Sequence, residues 1–208
     1  MRHGEVEEHL VGSFVGTTDV GLSALGRHQG EAIAKYLEDA PIDAILCSPR
    51  KRALDTAAPL ARAKGMKLDI RKGFAEMDFG QWESKFWHDI QGTWPDESAA
   101  WSKDPGEIAC PGGESCNKFA ARIHATLEPV LHEFKGRTIA LGGHAGVNRA
   151  ILAHVLKRPY MDCFAFAQDY GCLNAAAWGS TAYNDDDGFA QVALMNFVPG
   201  PRAKTQGD

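Results

Sequence analysis

Twice in this chain of 208 residues a short apolar run gives way at once to polar residues and then to a helix-forming stretch. The first is Ile42–Cys47, followed by Ser48-Pro49-Arg50-Lys51-Arg52. The second is Thr138–Gly142, followed by Gly143-His144-Ala145. Runs this short and this apolar suit strands buried on both faces, and strands alternating with helices build βαβ units around a parallel sheet. The pattern therefore predicts an α/β fold. In open sheets of this kind ligands sit outside the carboxyl ends of the strands, so both polar junctions are expected to face one crevice.

The helices read from spacing and caps. Ser23 is placed to cap a helix starting at Ala24, with Leu25, Ala32, Ile33, Tyr36 and Leu37 on its inner face and Gln29 among them. A second is expected from Arg50 to Lys64, stopped by Gly65 and kinked or broken at Pro59, with a strand at Lys67–Ile70. The clearest runs from Lys118 to Phe134, where Phe119, Ile123, Leu127, Val130, Leu131 and Phe134 make one stripe and Gly136 ends it. After His144, Val147, Ile151, Leu152, Val155 and Leu156 are expected to face inward. Glu5–Gly21 reads as loop, Cys163–Trp178 and Phe189–Phe197 as strands around an acidic turn at Asn184–Gly188, and Pro199–Asp208 as a frayed tail. Gly80–Gly113 holds four of the five tryptophans (Trp82, Trp87, Trp94 and Trp101) with three prolines. It reads as an irregular, partly helical insertion forming a satellite core, with a lid over a substrate as the alternative.

Composition narrows the class. Hydrophobic residues make up 44% and charged residues 24%, the balance of a globular protein in one domain of ordinary size. A net charge of −5 argues against non-specific nucleic-acid binding, although a cleft can be locally positive in an acidic protein. The five cysteines are odd in number and form no C-x-x-C pair, which predicts reduced thiols and a cytoplasmic home. No signal peptide is read at the start, and no apolar run approaches the ~18 residues of a membrane span. No oligomeric state is legible.

Arg2-His3-Gly4 has the look of a third polar junction. A histidine is able to act as a nucleophile on phosphorus, and two arginines, Arg2 and Arg52, to grip non-bridging oxygens and offset developing charge. Such a site also needs a carboxylic acid to protonate the leaving oxygen and later to deprotonate water. Taken alone, each candidate has a plainer role: Arg52 a solvated charge, Glu76 a surface acid, His144 a satisfied core histidine, His3 a terminal residue. The other histidines lack metal-type spacing and read as structural or surface residues.

The joint pattern is more specific. Arg2-His3-Gly4-Glu5, Gly16-x-x-Asp19-x-x-Leu22-Ser23-x-x-Gly26, Ser48-Pro49-x-x-Arg52-Ala53-x-x-Thr56-Ala57, Glu76-Met77-Asp78-Phe79-Gly80-x-Trp82-Glu83, Pro111-Gly112-Gly113-Glu114-Ser115 and Gly143-His144-Ala145-Gly146-x-x-Arg149-Ala150 follow one another in order. This series resembles the histidine phosphatase superfamily, whose fold is phosphoglycerate-mutase-like, over Arg2 to about Phe197. The resemblance implies a three-layer α/β/α sandwich with a mostly parallel sheet, and a single domain spanning 1–208 with the Trp-rich insertion near the active site. It implies His3 as phosphate acceptor, Arg2, Arg52 and His144 on the phosphoryl oxygens with the Ala145 backbone N–H, and Glu76 as proton donor and then base. Asp78 and Glu83 rank below Glu76, and Arg50 and Lys51 are taken as exposed. No metal and no cofactor are implied, and the expected partner is a small phosphorylated substrate.

His9 and Ser13 stand where the family's mutases tend to carry asparagine and arginine, which favours phosphatase over mutase chemistry, with a non-catalytic phosphate-binding relative as a further alternative. Gln168-Asp169-Tyr170-Gly171-Cys172 and Val192–Phe197 are similar to the α-ribazole phosphatase group, which acts late in cobalamin synthesis. Family members usually carry an apolar central strand ahead of the Arg-His pair, where this chain has Met1. A start set too late or a trimmed chain is expected rather than a sheet lacking its middle strand.

Overall fold

The computed structural model describes residues 1–181 and 184–202. β1 (Ala44–Cys47) is the middle of a three-stranded parallel sheet, between β2 (Leu68–Ile70) and β3 (Ile139–Gly142). Ile45 lies opposite Leu68 and Ala140, and Cys47 opposite Ile70 and Gly142. Side chains of a strand alternate between faces, and here the alternation separates two cores. Ile45 and Cys47 pack with Ile33, Ala57 and Leu60 of α1 (Ala24–Tyr36) and α2 (Lys51–Lys64). Leu46 packs with Phe119, Ile123, Val147 and Ala150 of α5 (Cys116–Glu133) and α6 (Ala145–Val155). Helices thus cover both faces of the sheet in three layers, which is why a run as apolar as Ile45-Leu46-Cys47 is stable there.

Met1–His3 runs beside β3 and links it to a second sheet. Arg2 bridges Gly143 in parallel, with Gly143 N–H donating to Met1 O and His3 N–H to Gly143 O, both at 2.9 Å. On the other side Arg2 N–H donates to Cys172 O at 2.9 Å. β4 (Leu173–Thr181) follows and pairs antiparallel with β5 (Asn184–Phe197).

Several expectations change. In α1 the buried stripe is Gly26, Gln29, Gly30, Ile33 and Ala34, while Tyr36 is 52% exposed and meets the Phe197 ring at a tilt. The reason is close helix packing: a Cβ on Gly30 would stand 3.2 Å from the Thr56 carbonyl oxygen of α2, so small residues must face that neighbour. α2 runs unbroken through Pro59, whose ring is buried against α1. α5 starts earlier than Lys118, at Cys116, with Ser115 Oγ accepting from Lys118 N–H. Leu156 lies just past the end of α6 and is exposed.

Tyr160–Ala165 is a 3-10 helix rather than the start of a strand. The acidic Asn184–Gly188 belongs to β5, and the β4–β5 link at 182–183 lies outside the described residues. Of the tail, Pro201 O accepts from the Gln29 amide at 3.0 Å, and residues 203–208 lie outside the described range.

The tryptophan-rich segment is not a satellite. It folds as a 3-10 turn at Gly80–Trp82, then α3 (Trp87–Thr93) and α4 (Pro95–Lys103). Trp82 and Ile90 belong to the same buried cluster as Leu46 and Phe119, so this core is continuous with the sheet. The five cysteines are buried and unpaired.

Candidate active site

The carboxyl ends of β1 and β3 and the turn after Arg2 meet at one place, as the sequence pattern predicts. His3 is buried, and its Nδ1 lies 2.8 Å from its neighbour's carbonyl, Gly4 O. A carbonyl only accepts, so Nδ1 carries the proton and Nε2 presents a free lone pair. Burial first, and the positive charges of Arg52 and Arg2 next, hold the His3 pKa well below the ordinary value, so the ring is neutral. The turn is held from beneath: Gly4 N–H donates to Thr56 Oγ1 at 2.9 Å and Glu5 N–H to Gln29 Oε1 at 2.8 Å. It also lies so close to α1 that a Cβ on Gly4 would meet Gly26 O at 2.3 Å, which explains a glycine in each motif.

His144 lies two residues past β3 and immediately precedes the first turn of α6. Its Nε2 lies 2.7 Å from Ser48 Oγ, the first residue after β1, and its Nδ1 is buried without a partner. The His3 and His144 rings meet edge to face with centroids 5.2 Å apart. Burial, then Arg52 and His3, hold the His144 pKa well below the ordinary value as well.

Arg52 is fully buried. Its guanidinium donates to the carbonyls of Val15, Gly16 and Thr18 at 2.9–3.1 Å, which leaves Nε unpartnered. Desolvation lowers its pKa to about 10, still charged at neutral pH. Arg2 donates to Gln168 O, lies 3.8 Å over the Tyr170 ring, and likewise has a buried, unpartnered Nε. Arg2 and Arg52 therefore carry idle Nε donors, and His144 an unpartnered ring nitrogen, close to His3. Buried donors are rarely left idle, and such an arrangement accepts an oxyanion.

Glu76 is 8% exposed. Its Oε2 accepts from Gly146 N–H at 3.0 Å in the first turn of α6, and its Oε1 from Met77 N–H at 2.9 Å. A Cβ on Gly146 would stand 2.4 Å from Glu76 Oε1, so a larger residue here would displace the carboxylate from its place. Ala145, the first residue of α6, belongs to the first turn, where backbone N–H groups lack helical acceptors.

Arg2, His3, Glu76 and Ala145 all line one cavity of about 260 Å³; Arg52 and His144 lie buried behind it. Its outer wall is largely apolar: Phe14, Phe79, Trp101, Phe164 and Tyr170. Phe14 packs edge-on to Phe79 and Trp101, with centroids at 5.0 and 6.3 Å, so the Trp-rich segment contributes directly to the wall. Among the described residues no group of three His, Cys, Asp or Glu side chains is placed to ligate a metal ion. No helix of the described residues is long and apolar enough to cross a membrane.

Lys51 is exposed beside Asp55, as expected. Arg50 is not: it precedes the first turn of α2 and is half-buried, with its Nε buried and unpartnered. Supporting residues also escaped the sequence reading. Glu83 gathers N–H bonds from Gly16, Thr17, Thr18 and Phe79 and the Thr18 hydroxyl, and so pins the loop whose carbonyls hold Arg52. Burial opposes ionisation of Glu83, but those bonds together keep its pKa below the ordinary value. Glu114 pairs with Arg122, which donates to Gly73, Ala75 and Glu76 carbonyls and fixes the backbone carrying the acid. Both carboxylates sit in motifs, yet spacing alone does not reveal that their partners are backbone amides and a distant arginine.

Comparison with known proteins agrees with this geometry. The family profile of the histidine phosphatase superfamily, branch 1, matches residues 1–184. Phosphoserine phosphatase 1 of Hydrogenobacter thermophilus is 28% identical over 176 residues, covering 85% of this chain and 82% of the relative. The adenosylcobalamin/α-ribazole phosphatase of Salmonella typhimurium is 26% identical over 196 residues, 94% of each chain. The crystal structure of the α-ribazole phosphatase from Shigella flexneri superposes with a TM-score of 0.85 at 24% identity, covering 99% of this chain and 98% of that one, a likeness of fold. The chain belongs to the histidine phosphatase superfamily and has its phosphoglycerate-mutase-like fold.

Proposed function

We propose that this protein is a phosphomonoesterase that passes the phosphoryl group of a small phosphorylated metabolite through His3 to water. One observation carries the reading: beside a neutral His3 with a free Nε2, the buried Arg2 Nε, Arg52 Nε and His144 Nδ1 have no protein partner. In the first step the Nε2 lone pair attacks phosphorus and the ester P–O bond breaks. Glu76, as the carboxylic acid, gives its proton to the departing oxygen. His3 is then an N-phosphohistidine, its Nδ1–H still donating to Gly4 O. In the second step the Glu76 carboxylate takes a proton from water, the water oxygen attacks phosphorus, and the P–N bond breaks to release phosphate. Splitting one displacement into two lowers each barrier, while Arg2, Arg52, His144 and the Ala145 N–H offset charge on the phosphoryl oxygens. Neither step uses a metal ion or cofactor.

The apolar wall favours an ester whose leaving group is flat and apolar, and two relatives are α-ribazole phosphatases. α-Ribazole 5′-phosphate is therefore the first substrate to test. The test is phosphate release by the wild type, with a chelator present, from a panel of that ester, phosphoserine, phosphoglycerates and sugar phosphates. Turnover of one or more to free phosphate is expected. Transfer between glycerate positions without release would indicate a mutase, and binding without turnover a non-catalytic relative.

A further inference from the structure

The segment Gln168–Cys172 lies across Arg2 and His3 and grips both. Arg2 N–H donates to Cys172 O at 2.9 Å, and Gly171 N–H to His3 O at 3.1 Å. The Arg2 side chain donates from Nη1 to Gln168 O, and its guanidinium carbon stands 3.8 Å from the centroid of the Tyr170 ring. A guanidinium is planar, so one bond at its edge and one ring against its face fix the direction of its remaining N–H groups. The Arg2 Nε that has no protein partner is therefore aimed by residues 168 and 170.

That segment is itself held by an irregularity in β5. Asn196 has φ +50°, the left-handed region, which is costly for a residue with a Cβ, although asparagine tolerates it better than most. It lies at a bulge, where Leu173 pairs with Phe197 and Ala175 with Leu194, a step of two residues on β4 against three on β5. There Asn196 Oδ1 accepts from Asp169 N–H at 2.6 Å. Asp169 N–H and Gln168 C=O belong to one planar peptide unit, so holding the N–H fixes the direction of the carbonyl that Arg2 uses. A chain of amides backs this contact. Asn196 N–H donates to Asn174 Oδ1 at 3.0 Å, Asn174 and Gln168 exchange side-chain bonds at 2.7 and 3.1 Å, and Asn148 of α6 donates to Gln168 Oε1 at 2.9 Å. Gln168 and Asn148 are buried, and none of the four amides lines the main cavity. A strained residue whose bonds lead to a cavity residue points to a role in the site.

We propose that Asn196, together with Gln168, is a positioning residue for Arg2: the β5 bulge pins the Gln168–Asp169 peptide and so aims the guanidinium at the phosphoryl oxygens. The proposal rests on the phosphatase reading for the task of Arg2. It goes beyond it in giving the far end of β5 a part in holding the phosphoryl group.

Asn196→Gly keeps the left-handed backbone accessible and removes the amide. Orthovanadate, an oxyanion that stands in for the phosphoryl group, is titrated calorimetrically into this variant, into Arg2→Gln, into the double variant and into the wild type. Asn196→Gly alone should weaken orthovanadate binding roughly tenfold or more. It should also lower kcat/KM for a hydrolysed ester by up to about 10²-fold, the cost of a small misplacement. With Arg2→Gln already present it should cost nothing further, because it acts through Arg2. A second readout is the ¹⁵N-bound Nε–H resonance of Arg2, assigned by its loss in Arg2→Lys. It should shift when orthovanadate is added to the wild type and stay put in Asn196→Gly. Should Asn196→Gly fail to fold, Gln168→Met, which keeps the side-chain length and removes the amide, enters the same cycle. The proposal is overturned if orthovanadate binds Asn196→Gly as it binds the wild type, if the loss is equal with and without Arg2, or if the Arg2 resonance responds alike in both proteins. If the wild type binds orthovanadate yet hydrolyses no ester, the phosphatase reading falls, while the cycle still decides the positioning role.

Discussion

The two sides of the main cavity are held by different physics. On the inner side, Arg52 is fixed by three backbone carbonyls, the loop bearing them is fixed by Glu83, and Glu76 is fixed by two backbone amides. On the outer side Phe14, Phe79 and Trp101 meet through ring contacts, with no directional bond to set their angles. Hydrogen bonds to charged groups define positions sharply, whereas packed rings tolerate adjustment. The inner side is therefore expected to set the rate, and the outer side to set which ester enters.

The largest effect expected from separating the two is at the acid. Glu76→Gln should lower kcat by about 10²–10⁴-fold for alkyl phosphate esters. p-Nitrophenyl phosphate, whose leaving group needs no proton, should lose far less; an equal loss for both esters would remove Glu76 from acid catalysis. On the outer wall, Trp101→Ala should lower kcat/KM for esters with an aromatic leaving group by roughly 10–200-fold. Competitive inhibition by inorganic phosphate should not change, and weakened inhibition would mean that the wall and the phosphoryl site are one unit.

Glu83→Gln keeps the volume and removes the charge that pins the loop at Gly16–Thr18. For this half-buried carboxylate about 1–2 kcal/mol of stability should be lost in urea unfolding, with a fall in kcat because Arg52 loses its frame. Unchanged kcat with the same stability loss would leave Glu83 as a purely structural clamp.

A smaller effect concerns pH. His3 and His144 both have folded-state pKa values below the unfolded value. As pH falls through about 6.5 the unfolded chain takes up protons that the folded chain does not. Stability from these groups is thus complete above that pH and lost as pH drops below it, by up to about 1.4 kcal/mol per pH unit per histidine. His144→Gln should flatten the slope of unfolding free energy between pH 7 and 5; an unchanged slope would contradict a neutral buried His144.

How far the sequence revealed this site depended on what each residue touches. Arg2, His3, Arg52 and His144 sit just past strand ends or at a similar turn and Glu76 in the loop beyond β2. It is the resemblance of their joint motifs to the family, not the spacing of any one, that brings them together in the sequence. Glu83 was ranked only as a rival acid, because its value lies in backbone N–H groups from residues 16–18 and 79, which carry no side-chain signature. Arg50 was read as surface charge, since a run of Arg-Lys-Arg does not say which member turns inward. The α1 stripe was misread because helical spacing marks large apolar residues, and close contact with α2 demands small ones at Gly26 and Gly30. The 3-10 helix at Tyr160–Ala165 has a mix of apolar and aromatic residues that fits a strand equally well, and only its packing against α6 decides.

The central claim is that the free Nε2 of His3, with idle buried donors beside it, receives the phosphoryl group. Rapid quenching of the wild type mixed with a ³²P-labelled ester that it hydrolyses tests this directly. The account predicts an acid-labile, alkali-stable phosphate on the protein within the first turnover, mapped to the peptide containing His3 and absent from His3→Ala. Normal hydrolysis with no trapped phosphate, or the same yield from His3→Ala, would contradict it.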